Sequence, residues 1–349
     1  MCKLKTNIIK IQDPTKDHPQ IIEAASLLQQ NEVVAFPTET VYGLGANAKS
    51  DEAVKKIFEA KGRPSDNPLI IHIAKVKQVE DLAESISEKA RALMDAFWPG
   101  PLTLVFPKRA GLSKAATAGL ETVAIRMPNH ALALALIEAS DLPIAAPSAN
   151  LSGKPSPTTA QHVEKDLTGR ISCIVDGGET GVGVESTVVD CTEEVPIILR
   201  PGGVTKEEIE QVIGAVREDP ALHNTVEAPR SPGMKYTHYA PDAPFVLVDG
   251  DKELLQQLAS ERRQNGQKVG ILTTEENKSY FDADVVIACG KRQSLETVAA
   301  SLYDALRAFD DGDVDIIYGE VFPQEGLGVA IMNRLLKAAG HAVYRQEDM

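Results

Sequence analysis

The chain has 349 residues, of which 43% are hydrophobic and 25% are charged, and its formal net charge is −14. This composition is that of an ordinary soluble globular protein, and the length favours two domains. Up to Glu210 there are 22 cations and 28 anions, so 14 of the 36 cations and 22 of the 50 anions follow it. Both parts are acidic, which argues against passive wrapping of nucleic acid by a basic surface.

The four cysteines are widely spaced and form no C-x-x-C pair. Neither a zinc site nor a disulfide framework is therefore expected. The first residues carry no apolar core of signal-peptide length, and the longest apolar runs are far short of a membrane span. We expect a cytoplasmic protein with no membrane partner.

Apolar periodicity predicts an α/β domain over residues 1–212. Asp51 is the expected N-cap of the second helix, Pro37–Gly45 reads as a turn, and Thr205 with Glu208 forms a capping box. Helices are predicted near 20–30, 51–58, 87–97 and 131–139, and strands near 33–36, 69–73, 102–106, 122–128, 143–146, 174–176, 186–190 and 197–200.

The segment Lys61–Pro68 combines two cations, one glycine and two prolines, and it leads directly into the predicted strand that contains His72. Each proline keeps the residue before it out of the helical region, so the segment is extended or turned. A rigid polar loop with Lys61 and Arg63 suits the capture of a polyanion such as a nucleotide phosphate. A solvated turn with two surface cations is the alternative.

Polar clusters follow or end several predicted strands, and in α/β folds ligands bind at strand ends. Arg126 stands out because it shares its strand face with Thr122 and Ala124, while Val123 and Ile125 take the other face. A buried arginine requires a partner anion. The clusters are expected to meet in one cleft, and they comprise Pro37–Thr40, His72, Arg126, Ser148–Asn150, Ser186–Thr187 and Arg200.

The pattern weakens over residues 213–243, which we interpret as a linker. Its stretch 231–241 contains Tyr236, His238 and Tyr239, which is unusual for an inert spacer, so we predict a lid over the site. Strands and helices alternate again over 244–349 and predict a smaller Rossmann-like domain with a parallel sheet. That domain carries no G-x-G-x-x-G or G-x-x-x-x-G-K fingerprint.

An ordered set of motifs resembles the YrdC-type threonylcarbamoyl-AMP synthases. The linker and the domain after it match the two-domain branch of that family, so the resemblance covers nearly the whole chain. The fold implied is a YrdC-like twisted mixed sheet with flanking helices, followed by the Rossmann-like domain. The motifs are Pro37–Leu44, Lys61-Gly62-Arg63 with Asn67–Leu69, Pro147–Asn150 with Ser152-Gly153, Glu185–Thr187 and Arg200–Gly202.

The resemblance implies a reaction in which L-threonine, bicarbonate or CO2, and ATP yield L-threonylcarbamoyl-adenylate and pyrophosphate. The product would supply N6-threonylcarbamoyladenosine formation in tRNA through a downstream threonylcarbamoyl transferase, with tRNA as an indirect target. Mg²⁺ bridging the phosphate oxygens is expected as the cofactor.

Roles for individual residues follow from the same resemblance. Lys61 and Arg63 would clamp the triphosphate and carry the catalytic charge, and the Arg126 fork would bind the threonine carboxylate. The remaining ATP contacts are assigned to Asn67, Thr122, Ser148, Ser156, Arg200 and Tyr239. The remaining threonine contacts are assigned to Thr40, His72, Ala146 (through its backbone) and Ser186.

Two other readings share parts of this pattern. A non-catalytic RNA-binding module is the alternative function, and the acidic N-terminal half argues against it. A carbamoyl transferase of the hydrogenase-maturation type contains a similar domain, but it also carries zinc-finger cysteines that this sequence lacks. For the smaller domain the sequence leaves three roles open, namely regulation, oligomerisation and docking of the next enzyme.

Overall fold

A computed structural model describes residues 4–65, 67–222 and 238–345. The chain divides into two compact units. The larger contains most of residues 4–222. The smaller contains residues 238–345 together with two short segments, Gly153–Ser156 and Val182–Val184. The predicted α/β class, with a mixed sheet in one unit and a parallel sheet in the other, is confirmed.

The strands of the larger unit are Asn7–Lys10 (β1), Val34–Pro37 (β2), Tyr42–Asn47 (β3), Ile70–His72 (β4), Leu102–Pro107 (β5), Thr122–Arg126 (β6), Ile144–Ala145 (β7), Cys173–Asp176 (β8), Thr187–Asp190 (β9), Ile197–Arg200 (β10) and Arg217–Glu218 (β11). Its helices are His18–Gln29 (α1), Asp51–Lys61 (α2), Gln78–Leu82 (α3), Glu88–Phe97 (α4), Ala131–Ser140 (α5), Ala160–Leu167 (α6) and Lys206–Ile213 (α7).

These strands form one mixed sheet in the order β1-β8-β2-β3-β7-β4-β6-β5-β9-β10-β11. In the centre, β4 and β6 are parallel and pair His72 with Arg126. β5 is antiparallel to β6, and β7 is antiparallel to β4. The end of β6 therefore lies beside the start of β5, and the end of β7 lies beside the start of β4.

Helix α2 corrects one expectation from the sequence. Its N-cap is Ser50, whose hydroxyl accepts from the Ala53 amide, while the Asp51 carboxylate accepts the hydroxyl of Ser113. Asp51 was a reasonable choice because both residue types cap helices well. The helix ends at Lys61 because Gly62 adopts the left-handed conformation, with φ of 67°. The capping box of Thr205 and Glu208 on α7 is confirmed.

Residues 42–45 are also corrected, because they belong to β3 and not to a turn. Glycine is unfavourable in strands, which is why Gly43 and Gly45 suggested a turn. The structure shows a packing reason for Gly45. A Cβ at this position would lie 2.6 Å from the Phe36 ring on the neighbouring strand β2.

The smaller unit has strands Phe245–Asp249 (β12), Val269–Thr273 (β13), Val285–Ala288 (β14), Ile316–Glu320 (β15) and Val343–Arg345 (β16). Its helices are Lys252–Gln264 (α8), Leu295–Ala308 (α9) and Leu327–Ala338 (α10). The strand pairs are all parallel among the described residues, in the order β14-β13-β15-β12-β16. This is the open parallel sheet predicted for the domain.

Gly202 offers a test of how tightly the larger unit packs around β9. A Cβ at Gly202 would overlap the backbone of Glu185, Ser186 and Thr187, which cannot move as a flexible side chain would. We expect Gly202→Ala to lower the free energy of unfolding by about 1–3 kcal/mol through overpacking. Urea denaturation measures this change. Gly181→Ala is the control, because a Cβ there meets open space, and an equal loss in both variants would contradict the packing argument.

Candidate active site

One face of the central strands forms an apolar floor that is separate from the main core. Val123 and Ile125 belong to the main core on the other face, which confirms the predicted parity of this strand. The floor residues pack together, and all of them except the fully buried Val188 are slightly more exposed than the core centre. Polar side chains of the same strand parity occur at both ends of the floor. The floor consists of Ile70, Val105, Ala124, Val188 and Leu199.

Arg126 closes one end of this face, and its side chain is 4% exposed. Its Nη1 donates to the Thr40 hydroxyl at 3.0 Å, and its Nε donates to the Gly100 carbonyl at 3.3 Å. Its Nη2 lies 2.7 Å from Glu39 Oε1. That contact pairs the charges without hydrogen-bond geometry, since neither Glu39 oxygen has a hydrogen-bond partner among the described residues. Glu39 thus presents two buried acceptors beside the guanidinium.

His72 lies next to Arg126 through the β4–β6 register. Burial, and secondly the Arg126 charge, lower the pKa of His72 to about 3, so the imidazole is neutral near pH 7. Its Nδ1 lies 3.2 Å from the Ile70 carbonyl. Because a carbonyl only accepts, this contact favours the tautomer with its proton on Nδ1, in which Nε2 carries a lone pair. A backbone hydrogen bond with Ile144 also acts on the ring.

Ser186 and Arg200 meet at the same end of the face. Thr187, directly after Ser186, pairs with Leu102 at the start of β5. The Arg200 guanidinium donates to the Ser186 carbonyl at 2.8 and 3.1 Å and to its hydroxyl at 3.2 Å. The Ser186 hydroxyl also lies 2.7 Å from that of Thr103. Arg200, which the sequence assigns to ATP, is thus in direct contact with Ser186, which the sequence assigns to threonine.

Lys61 lies in a second group of residues, which gathers around the loop after β7. It is 2% exposed, and its ammonium donates to the carbonyls of Ser148 at 2.5 Å and Asn150 at 2.7 Å. The Ser148 hydroxyl donates to Asn150 Oδ1 at 2.6 Å. Lys61, the last residue of α2, thereby holds the backbone of the Ser148–Asn150 loop.

The Ser148–Asn150 loop lies beside the start of β4, whereas Arg126 lies beside its end, because β7 is antiparallel to β4. The Ala146 amide donates to the Ile70 carbonyl at the start of β4. Thr122, half-buried, begins β6 at this edge, and Asn67 precedes β4 by three residues. The Asn67 amide nitrogen is buried and has no hydrogen-bond partner among the described residues. Arg63 is half-buried, with its guanidinium over the Phe58 ring at 5.5 Å.

Ser156 and Tyr239 belong to the smaller unit. Ser156 is fully buried. Tyr239 is buried with φ of 67°, and its ring lies 5.1 Å from that of Tyr303. The proposed lid, residues 231–241, is described only from His238 onward, and residues 231–237, with Tyr236, lie outside the described part.

Sequence reasoning missed two residues of this site. Glu39 was inside the cluster Pro37–Thr40 but received no role, although an acidic residue two positions after a buried strand end was a usable signal. Thr103 is an ordinary strand residue in the sequence, and only its contact with Ser186 reveals it.

The chain is thus an α/β protein whose mixed sheet carries cationic, hydroxyl and amide groups at the ends of one face, an arrangement that suits the binding and orientation of anionic small molecules. A family model described as "Telomere recombination" matches residues 26–202, and one described as "Threonylcarbamoyl-AMP synthase, C-terminal domain" matches residues 204–340. The chain belongs to the threonylcarbamoyl-AMP synthase family.

Relatives cover almost the full length of the chain. The threonylcarbamoyl-AMP synthase of Bacillus subtilis (strain 168) is 64% identical over 94% of this chain and 95% of its own length. That of Pyrococcus abyssi is 52% identical over 92% and 94%. The crystal structure of P. abyssi Sua5 complexed with L-threonine has a TM-score of 0.92 at 50% identity, covering 97% of this chain and 99% of that one.

The neutral state of His72 predicts a pH dependence of stability. Its pKa is about 3 in the folded chain against 6.5 for the unperturbed group, so the unfolded state binds more protons between these values. The contribution of neutral His72 to the free energy of unfolding is therefore fully present above pH 6.5 and is lost as the pH falls toward 3. Urea denaturation from pH 7 to 4.5 should show a steeper decline for the parent than for His72→Gln. Parallel curves would contradict a neutral buried imidazole.

Proposed function

We propose that this chain is a nucleotidyltransferase that makes L-threonylcarbamoyl-adenylate and pyrophosphate from L-threonine, bicarbonate or CO2, and ATP. The observation that carries the proposal is the single sheet face with Arg126 at one end and the loop held by Lys61 at the other. From Thr122 to Arg126, β6 rises by four steps of about 3.3 Å, or roughly 13 Å. That span suits an amino acid and a nucleotide meeting end to end.

Threonine is assigned to the Arg126 end. The guanidinium fork would bind the carboxylate, taking part of the charge contact now made by Glu39. The Glu39 carboxylate, which is ion-paired with Arg126 but accepts no hydrogen bond within the described residues, would accept the N–H of the amino acid or of its carbamate. The Nε2 lone pair of His72 would accept the threonine hydroxyl, with Thr40 and Ser186 completing the surroundings.

ATP is assigned to the side of the sheet where β4 and β6 begin. The unpartnered amide of Asn67 offers a buried donor to a phosphate or ribose oxygen. Lys61 would order the Ser148–Asn150 loop and add positive charge close to the triphosphate, and Arg63 would contact the phosphates. Mg²⁺ would accompany ATP, bound mainly by phosphate oxygens and water, and it would offset phosphate charge.

The chemistry is a displacement at the α-phosphorus. A carbamate oxygen forms a bond to phosphorus while the bond to the pyrophosphate oxygen breaks, so no protein nucleophile is required. The chain contributes by aligning the two reactants and balancing charge. Because carbamates lose CO2 and mixed anhydrides hydrolyse, the site must also exclude water. The lid predicted at 231–241 would serve this purpose.

The product, an activated threonylcarbamoyl group, would pass to a downstream threonylcarbamoyl transferase that modifies tRNA, so tRNA is an indirect target. None of the helices in the described residues is both long and apolar enough to cross a membrane. The cytoplasm is the compartment that suits tRNA modification.

The direct test is incubation of the full chain with ATP, bicarbonate and threonine. We expect threonine-dependent pyrophosphate release and the mass of threonylcarbamoyl-adenylate. Serine should be used less efficiently by roughly 10–200-fold, because one methyl group contributes about 1–3 kcal/mol to discrimination. Salt-dependent tRNA binding without any ATP consumption would instead favour the RNA-binding alternative.

The buried ion pair supplies a test of the threonine end. Arg126→Ala and Glu39→Gln should each raise the KM for threonine at least about tenfold, since a charge-assisted hydrogen bond contributes roughly 1.5–3 kcal/mol. Binding of ATP, measured by calorimetry, should be largely retained. Glu179→Gln is the control, because this glutamate is exposed. Unchanged binding of labelled threonine to Arg126→Ala would refute its role.

The Lys61→Ala variant supplies the complementary result. It should lose threonine-dependent pyrophosphate formation while circular dichroism reports an intact fold. Lys55→Ala on the same helix is the control, because its side chain is 74% exposed. Near-normal turnover by Lys61→Ala would remove Lys61 from the catalytic machinery.

A further inference from the structure

The smaller unit contains a cavity of about 350 Å³ beyond the carboxyl ends of its parallel strands. Small-molecule pockets commonly start near this volume. The cavity is formed by the segments that follow β12 and β15, by the start of α8, and by side chains from the connections after β13 and β14. Its lining includes Gly250, Asp251, Asn277, Arg292, Glu320 and Val321.

The position of the cavity follows from the strand order. β12 and β15 are neighbours, and the chain leaves them in opposite directions. From β12 it passes through α8 to β13 on the far side of β15, and from β15 it passes through α10 to β16 on the far side of β12. Each connection therefore crosses over the other strand of the pair, and the cavity lies at the carboxyl ends of β12 and β15, which is where open α/β sheets bind their ligands.

Two opposite charges meet inside this cavity, and within the described part of the chain both keep unused hydrogen-bonding capacity. Glu320 is buried and accepts from Thr273 at 3.1 Å and from Asn277 at 2.7 Å, which uses two of about four acceptor positions. Arg292 donates through Nη2 to the Val321 carbonyl at 3.0 Å, one of its five donors. The same Nη2 lies 3.5 Å from Glu320 Oε2, so the charges are close without a short hydrogen bond.

The charge distribution selects against phosphate ligands. Three carboxylates and two cations line the cavity, so its balance is negative. Asp251 already caps α8, accepting from the Leu254 amide at 2.8 Å, and Glu253 stands in the first helical turn. The Asp251 carboxylate thus occupies the helix N-terminus that would attract a phosphate, and the negative charge of Glu253 would repel one.

A ligand with one anionic and one cationic group on neighbouring atoms fits these constraints. We propose that the cavity between β12 and β15 binds a free α-amino acid, with its carboxylate on Arg292 and its ammonium on Glu320. The guanidinium fork matches a carboxylate in two contacts, and the open acceptor positions of Glu320 match an ammonium. The site is distinct from the active site of the larger unit and does not depend on the function proposed for it.

Calorimetry on the full chain tests this site with individual L-amino acids up to about 10 mM, a range that covers millimolar dissociation constants. At least one should bind to the parent, and Arg292→Gln should weaken it about tenfold or more. Arg263→Gln is the matched control, since its side chain is 35% exposed against 38% for Arg292 and lies outside the cavity lining. Binding that Arg292→Gln leaves unchanged is assigned to another site, such as the threonine site proposed for the larger unit.

Further binding measurements distinguish an amino acid from other classes of ligand. The N-acetyl and carboxamide derivatives of the bound amino acid should each lose binding, because each removes one of the two charges. Arg292→Lys keeps the charge without the fork and should also bind more weakly, which preserves the test if Arg292→Gln does not fold. The proposal is overturned if Arg292→Gln and Arg263→Gln bind every amino acid alike, or if Arg292→Gln abolishes binding of AMP or inorganic phosphate instead.

Discussion

The buried guanidinium of Arg126 is the charge around which one end of the active site is built. Burying it without partners would cost several kcal/mol. The structure offsets that cost with the Thr40 hydroxyl, the Gly100 carbonyl and the Glu39 carboxylate. Its charge also helps to keep His72 neutral. One residue thus adds to the effect of burial on the protonation of His72 and holds two connecting segments through Thr40 and Gly100.

The mixed sheet explains why polar residues distant in sequence share one face. In an all-parallel sheet the carboxyl ends of all strands lie on the same side, as they do at the cavity of the smaller unit. In the larger unit, the antiparallel steps at β7 and β5 place strand starts beside strand ends. The two groups of polar side chains therefore come from opposite ends of β4 and β6. Thr40 connects them, because it belongs to the β2–β3 connection beside the Ser148 loop and accepts from Arg126.

The sequence predicted the types of most elements, and it predicted the face of Arg126, because apolar alternation is strong in short buried strands. It could not reveal that Lys61 binds the carbonyls of Ser148 and Asn150, since such contacts join residues nearly 90 positions apart. The pairing of Arg200 with Ser186 was hidden for a similar reason, because it depends on the antiparallel register of β9 and β10. Glu39 carried a local signal in its position after β2, but its partner Arg126 is distant in sequence, so its role was not recognised.

The segment from Lys61 to His72 links the two ends of the active site within twelve positions. Lys61 closes α2 and holds the loop after β7, whereas His72 ends β4 beside Arg126. Between them, β4 has only three residues, and Ile70 contributes to the floor. Because strand side chains alternate, a shift of one residue in β4 would turn His72 into the core and Ile71 onto the site face. The prolines at 64 and 68 restrict the conformations of the residues before them and so limit such a shift. The separation of Lys61 and His72 therefore depends on the register of one short strand.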